Sequence, residues 1–152
     1  MTAWADAGVT PIDFPEAPTK ALPIALQKAN LTIADISLFE LNEAFSVVVR
    51  IAEKVCNIDS AKINVNGYAF VVFLIIFMNP DLGNASGAVA LGHAIGNSGA
   101  RIIVSLVHAL KSGQYGAAGI CNGVCTVFFF ATMAILIIWQ GGAASALVIQ
   151  KL

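Results

Sequence analysis

Two hydrophobic periods run through the chain and set out its elements. Ala21, Leu22, Ala25, Leu26 and Ala29 recur at helical spacing, which predicts a helix over Lys20–Asn30. Asp35–Leu41 (DISLFEL) alternates with period two and predicts a half-buried strand. Asn42 then reads as the N-cap of a helix that places Phe45, Val48, Ala52 and Val55 on one face. A short strand is expected at Lys62–Asn66, and a glycine-rich loop at Gly92–Gly99. Ser98 is placed to cap a helix over Gly99–Ser112, with Gly113 as its C-terminal stop. Tyr115–Cys121 and Ser145–Gln150 read as strands. Strands alternating with helices predict a layered α/β fold.

Two apolar runs interrupt this pattern: Tyr68–Met78 (YAFVVFLIIFM) and Val124–Trp139 (VCTVFFFATMAILIIW). They hold six of the nine Phe. The first, at 11 residues, is far short of the roughly 20 that a spanning helix needs. The second has 16 and lies in a stretch without charge between Lys111 and Lys151, so a marginal transmembrane helix is one reading of it. No Lys/Arg cluster flanks either run to set an orientation.

Composition reflects these runs. The chain has 152 residues, one domain's worth, of which 58% are hydrophobic and 11% charged. The mean hydropathy is +0.82. Disorder is excluded. A formal charge of −1 offers no basic surface for nucleic acid. Three Cys form no disulfide framework and no metal-ligating pair, so no metal site is expected. The N-terminus reads as neither a signal peptide nor a transit peptide.

Three short constellations could carry chemistry. Asn42-Glu43-Ala44-Phe45 lies where a strand gives way to a helix, at the end of a strand that faces the ligand crevice of such sheets. Gly92-His93-Ala94-Ile95-Gly96-Asn97-Ser98-Gly99 holds a histidine in a loop just before a helix, where it can serve as base or as oxyanion donor. Cys121-Asn122-Gly123 ends a strand and offers a thiol as acid, base or nucleophile. A helix cap, a loop histidine and a small core residue are their plain structural readings. Cys56, Cys125 and His108 read as structural.

In order, NEAF, GHAIGNSGAR, GICNG and ASALVIQKL resemble the C-terminal end of a thiolase, from about Ala5 to Leu152 apart from the apolar runs. The acetoacetyl-CoA-forming members are nearest in character. The resemblance implies the C-terminal half of a layered αβαβα fold, disturbed by two hydrophobic insertions. It implies an acyltransferase that condenses acetyl-CoA, or cleaves acetoacetyl-CoA, in lipid and isoprenoid precursor metabolism. No cofactor is implied, since the coenzyme A thioester is itself the substrate.

By the same resemblance His93 activates a nucleophilic Cys and donates into an oxyanion hole, and Asn42 holds the water that completes the hole. Cys121 takes the α-proton of the second acetyl-CoA. Gly123 offers a backbone N–H to the acyl-enzyme, and Phe45, with Ala44, lines the coenzyme A side. Members form homo-oligomers. They live in the cytoplasm, taken here as the first expectation, or in mitochondria or peroxisomes. Gln150-Lys151-Leu152 only loosely matches a peroxisomal address.

The chain departs from the family in three ways. It lacks the half that holds the nucleophile, so alone it is expected to be inactive. Ala94 replaces a proline that would fix the loop. The apolar runs fall among the active-site loops. Removing Tyr68–Ser86 leaves NVNG joined to GAVALGHAIG, and removing Val124–Gln140 leaves GICNG joined to GGAASALVIQ. Both junctions read as family sequence. Val codons begin with the splice donor GT, and Gln140 can be the acceptor-like CAG, so 68–86 and 124–140 read as insertions of translated-intron type within one domain, 1–152. An insertion directly after Gly123 is expected to part the Cys121 loop from its anchoring strand, and exposed apolar runs to drive aggregation. Two other readings stand: a non-catalytic module of thiolase fold that pairs with full-length subunits, and a small single-span membrane protein.

Overall fold

A computed structural model describes residues 1–66, 88–129 and 135–152. The apolar run 68–78 and the 68–86 segment therefore fall outside the described residues. Four strands, β1 (Ala3–Gly8), β2 (Ile36–Leu41), β3 (Tyr115–Phe129) and β4 (Ile135–Gln150), form one sheet in the order β1-β4-β3-β2. β2 and β3 are parallel, and the other pairs are antiparallel. Helices α1 (Ala17–Lys28) and α2 (Ser46–Cys56) lie on one face of the sheet. The four-residue α3 (Ala88–Leu91) leads into the His93 loop, and α4 (Ser98–Ala109) covers part of the opposite face. The expected α/β class holds.

Alternation sorts each strand between the two faces. Phe39, Leu41, Ala117, Ala144, Ala146 and Val148 join Leu22, Ala25 and Leu26 of α1 in the main core. Leu38, Ala118, Leu147 and Ile149 pack with Ile102, Leu106 and Leu110 on the other side. Gly116 lets them pack closely there: a Cβ would stand 2.7 Å from a Leu110 methyl and 2.8 Å from one of Leu106, so both leucines would have to shift.

α1 carries Pro23 in its interior. A proline has no N–H to give the carbonyl four residues earlier. That carbonyl, of Thr19, instead accepts from the Cys56 thiol at 3.9 Å, which supports the structural reading of Cys56.

Several sequence expectations need correction. Asn42 is not the cap of α2. Its backbone N–H donates to Gly119 O at 2.9 Å, so it still belongs to the sheet, and the helix begins at Ser46 with Phe45 as N-cap. Val48 and Ala52 are buried as expected, but Phe45 and Val55 are more than half exposed. The expected strand Lys62–Asn66 is reduced to one bridge, Phe39 to Ile63. Ser98 is the first residue of α4, whose N-cap is Asn97, and α4 ends at Ala109 with Leu110 as C-cap. Gly113 lies beyond it in a turn at φ +84°. β1 was not expected.

The segment after Gly123 does not part Cys121 from its neighbouring strand, contrary to expectation. β3 and β4 pair through Cys121–Ala144 and Asn122–Ala143, shift register once, and continue from Val124–Gln140 to Phe129–Ile135. The run read as a marginal membrane helix thus begins and ends in strands. No helix among the described residues is long and apolar enough to cross a membrane.

Candidate active site

β2 runs parallel to β3 and ends at Leu41, opposite Gly119, while β3 runs on to Phe129, so Asn42 leaves β2 beside the middle of β3. The end of β2 is tied on both flanks. Gly119 accepts from Asn42 on one side. On the other, Asn64 Oδ1 accepts from the Leu41 N–H at 2.8 Å while Asn64 Nδ2 donates to Leu41 O at 2.9 Å. Asn64 is buried and sits at φ +50°, a conformation Asn tolerates better than most residues.

From this anchored end the side chain of Asn42 enters a hydrogen-bonded cluster and is wholly buried. Its Nδ2 lies 3.4 Å from His93 Nδ1. Its Oδ1 accepts from Arg101 Nη2 at 3.3 Å. His93 Nδ1 also lies 2.8 Å from Ser98 Oγ, which donates to Ala94 O at 3.1 Å. The His93 loop is thereby pinned to the first turn of α4. Ala94 stands where a proline was expected to stiffen the loop, and the Ser98 hydroxyl bonds its carbonyl. His93 itself remains exposed, available to a ligand.

Two carboxylates lie beside this cluster. Glu40 is 3% exposed and Glu43 5%. Burial pushes the Glu40 carboxyl up to about 7. The Arg101 guanidinium pulls against that shift, and Glu43 adds to it.

Cys121 is placed differently. It falls in step with Ala117 and Gly119, whose face meets α1, and is partly buried. Burial raises its thiol above the ordinary value. Among the described residues no hydrogen bond joins it to His93 or Asn42. Its neighbour Asn122 donates to Ser145 Oγ at 3.0 Å, which donates to Asp6 Oδ1 at 2.6 Å, so β3, β4 and β1 are linked at this level. Gly123 follows at the register shift in the hairpin. Ala44 is half-buried. Phe45 is 55% exposed and packs edge-on against Phe14, ring centres 5.7 Å apart.

The structure thus joins Asn42 to His93 by hydrogen-bond geometry and does not join Cys121 to either. Sequence reasoning missed Glu40, Asn64 and the part played by Arg101. Arg101 closes the GHAIGNSGAR string, but nothing in its spacing says that it bends back to Asn42. Among the described residues no group of His, Cys, Asp and Glu forms a metal site.

Polar side chains gathered at the carboxyl end of a parallel strand, in a sheet with helices on both faces, are an arrangement by which α/β enzymes hold ligands. Comparison with known proteins makes the class specific. The family model described as thiolase, C-terminal domain, matches residues 1–73 and 78–135. The chain belongs to the thiolase family. It is 46% identical to the mitochondrial acetyl-CoA acetyltransferase of Bos taurus, over 100% of this chain and 28% of that protein. A mitochondrial acetyl-CoA acetyltransferase of Aspergillus fumigatus is 40% identical, again over 100% of this chain and 27% of the relative. The Acat5 thiolase of Ascaris suum, solved in complex with coenzyme A, superposes with a TM-score of 0.72 at 39% identity, over 99% of this chain and 30% of that one. The chain therefore spans little more than a quarter of the length of the relatives it matches.

Proposed function

We propose that this chain supplies the C-terminal catalytic loops of an acetyl-CoA C-acetyltransferase and is inactive alone. The observation that carries this is the cluster of Asn42, His93, Ser98 and Arg101 at the end of β2, in a chain of this family. In the proposed reaction His93 takes the proton of a nucleophilic Cys supplied from outside this chain. The thiolate attacks an acetyl-CoA carbonyl, and the coenzyme A thiol leaves with that proton. Cys121 as thiolate removes the α-proton of a second acetyl-CoA. The carbanion attacks the acyl-enzyme, a C–C bond forms, and the C–S bond to the enzyme breaks.

The residue types suit these steps. A thioester α-carbon is weakly acidic, so its base must be strong and close. A buried thiol with a raised pKa gives, once ionised, a stronger base. Backbone N–H groups such as that of Gly123, and the water held by Asn42, would stabilise the developing oxyanions. Phe45 and Ala44 would flank the pantetheine arm. The coenzyme A thioester is substrate, and no separate cofactor enters. Pairing with further thiolase subunits completes the assembly. The names of the relatives favour a mitochondrial compartment over the cytoplasmic one.

The two apolar segments, 68–86 and 124–140, are on this reading insertions into one domain. The register of the hairpin supports this for the second: with Gly123 joined to Gly141, the pair Asn122–Ala143 would be closed by a short glycine turn. Sequencing the reverse-transcribed message across codons 60–145 tests it; absence of both segments is expected, and their presence in a stable, translated message overturns it.

The activity is tested by adding this chain to a thiolase N-terminal half that carries the nucleophile. Acetoacetyl-CoA cleavage is expected in the mixture only, and to disappear with His93→Ala or Cys121→Ser. Condensation by the chain alone, or a mixture indifferent to His93, would refute the reading.

A further inference from the structure

Glu40 and Arg101 have no part in the steps above, yet both lie where β2 packs against α4. Glu40 falls in step with Leu38, on the face of β2 that packs against α4. α4 carries Arg101 in its first turn. A carboxylate buried to 3% exposure on a strand face needs a counter-charge. Arg101 is the cation whose field acts on it. The same guanidinium donates to Asn42 Oδ1 at 3.3 Å.

An amide has one accepting and one donating end. With Oδ1 held by a guanidinium, which only donates, Asn42 must turn Nδ2 towards His93 Nδ1. The reverse orientation would set two donors against each other. Nδ2 can approach a bare ring nitrogen but not an Nδ1–H, so this orientation favours the imidazole with its proton on Nε2. Ser98 acts in the other sense. While its hydroxyl donates to Ala94 O, its oxygen accepts from Nδ1–H and leaves Nε2 bare. The two neighbours of Nδ1 thus favour opposite tautomers, one with Nε2 as hydrogen-bond donor and one with Nε2 as base.

We propose that Arg101 is a positioning residue that fixes the orientation of the Asn42 amide and through it biases the tautomer of His93. This rests on the reading of His93 and Asn42 as site residues. It adds that the balance between donor and base forms of Nε2 is set from the far side of Asn42.

The test is nitrogen NMR on the full chain, where the imidazole nitrogens report the tautomer and the Asn42 side-chain amide reports its own orientation. In Arg101→Met the Asn42 amide signals should shift, and the His93 population should move towards Nδ1–H. Arg101→Lys, which keeps a donor and a charge, should restore much of the original balance. A folded Arg101→Met chain with both sets of signals unmoved would overturn the proposal. Should that variant not fold, the unsubstituted chain decides. Separate, slowly exchanging Arg101 guanidinium protons with cross-peaks to the Asn42 amide are expected, and one averaged set would overturn it. The readout is independent of acyl transfer, so the positioning role can fail while the acyl-transfer reading stands, or the reverse.

Discussion

The two ends of the candidate site are built by different means. Around Asn42, segments distant in sequence meet through side-chain hydrogen bonds: Asn64 behind the strand, His93 and Ser98 in front, Arg101 and Glu40 alongside. Around Cys121, position comes from backbone register between β3 and β4, with the chain Asn122–Ser145–Asp6 as its side-chain link. Side-chain clusters are exacting, because removing one partner leaves a buried polar group unpaired. Strand pairing is tolerant along its length, because each added pair of residues continues the same ladder. This is how a 17-residue segment after Gly123 leaves the pairing of Cys121 and Asn122 in place. The irregularity falls at Gly123, where the ladder shifts register once.

Substitutions can break each end separately. Phe39→Ala should have the largest effect. Phe39 is 1% exposed in the core beneath the end of β2, and truncation of such a side chain costs roughly 3–5 kcal/mol. Chemical denaturation should show the loss, together with loosening of the Asn42 cluster. Gly142→Ala should strike the hairpin side next. Gly142 is at φ +109°, and a Cβ there would stand 2.4 Å from the Val9 carbonyl oxygen, so a loss on the order of 2–3 kcal/mol is expected. Amide exchange should then rise in β1 and the facing part of β4 before it rises in β2.

Glu40→Gln sharpens the contrast through pH. The carboxyl of Glu40 is raised from 4.5 to about 7 in the fold, so the folded state holds the proton more tightly than the unfolded chain does. Its contribution to stability is therefore fully present below about 4.5 and is lost as pH rises through 7, a change on the order of 3 kcal/mol. The Gln variant should flatten the stability profile across that window. A profile as steep as that of the unsubstituted chain would contradict the burial of Glu40. Asp6→Ala should have the smallest effect, about 0.5–1 kcal/mol, because its bond to Ser145 is exposed. It should be seen as faster exchange near Asn122, with the Asn42 amide signals unchanged.

The elements legible in the sequence were those whose own periodicity declares them. α1 was expected over Lys20–Asn30 and found at Ala17–Lys28, and β2 was expected within one residue of its observed limits. The readings that failed turned on partners elsewhere in the chain. Asn42 resembles a helix cap by type and spacing, but Gly119 draws it into the sheet. β1, with small residues inward at Ala3 and Ala5, shows no strong alternation and becomes a strand because β4 offers it an edge. The motifs around His93 and Cys121 were readable as strings, whereas Glu40 and Asn64 lie at ordinary strand and turn positions and acquire their roles only by contact.

Taken alone, the sequence determined the α/β class, the family and the order of the motifs along the chain. These depend on local period and on short motifs, which are properties of neighbouring positions. The tertiary structure alone decided that Asn42 belongs to the sheet, that Arg101 turns to it, that Glu40 is buried on the α4 side of β2, and that β3 and β4 stay paired past Gly123. Each of these is a long-range contact. Whether a buried charge finds its partner, or a strand its edge, depends on how distant segments pack against one another.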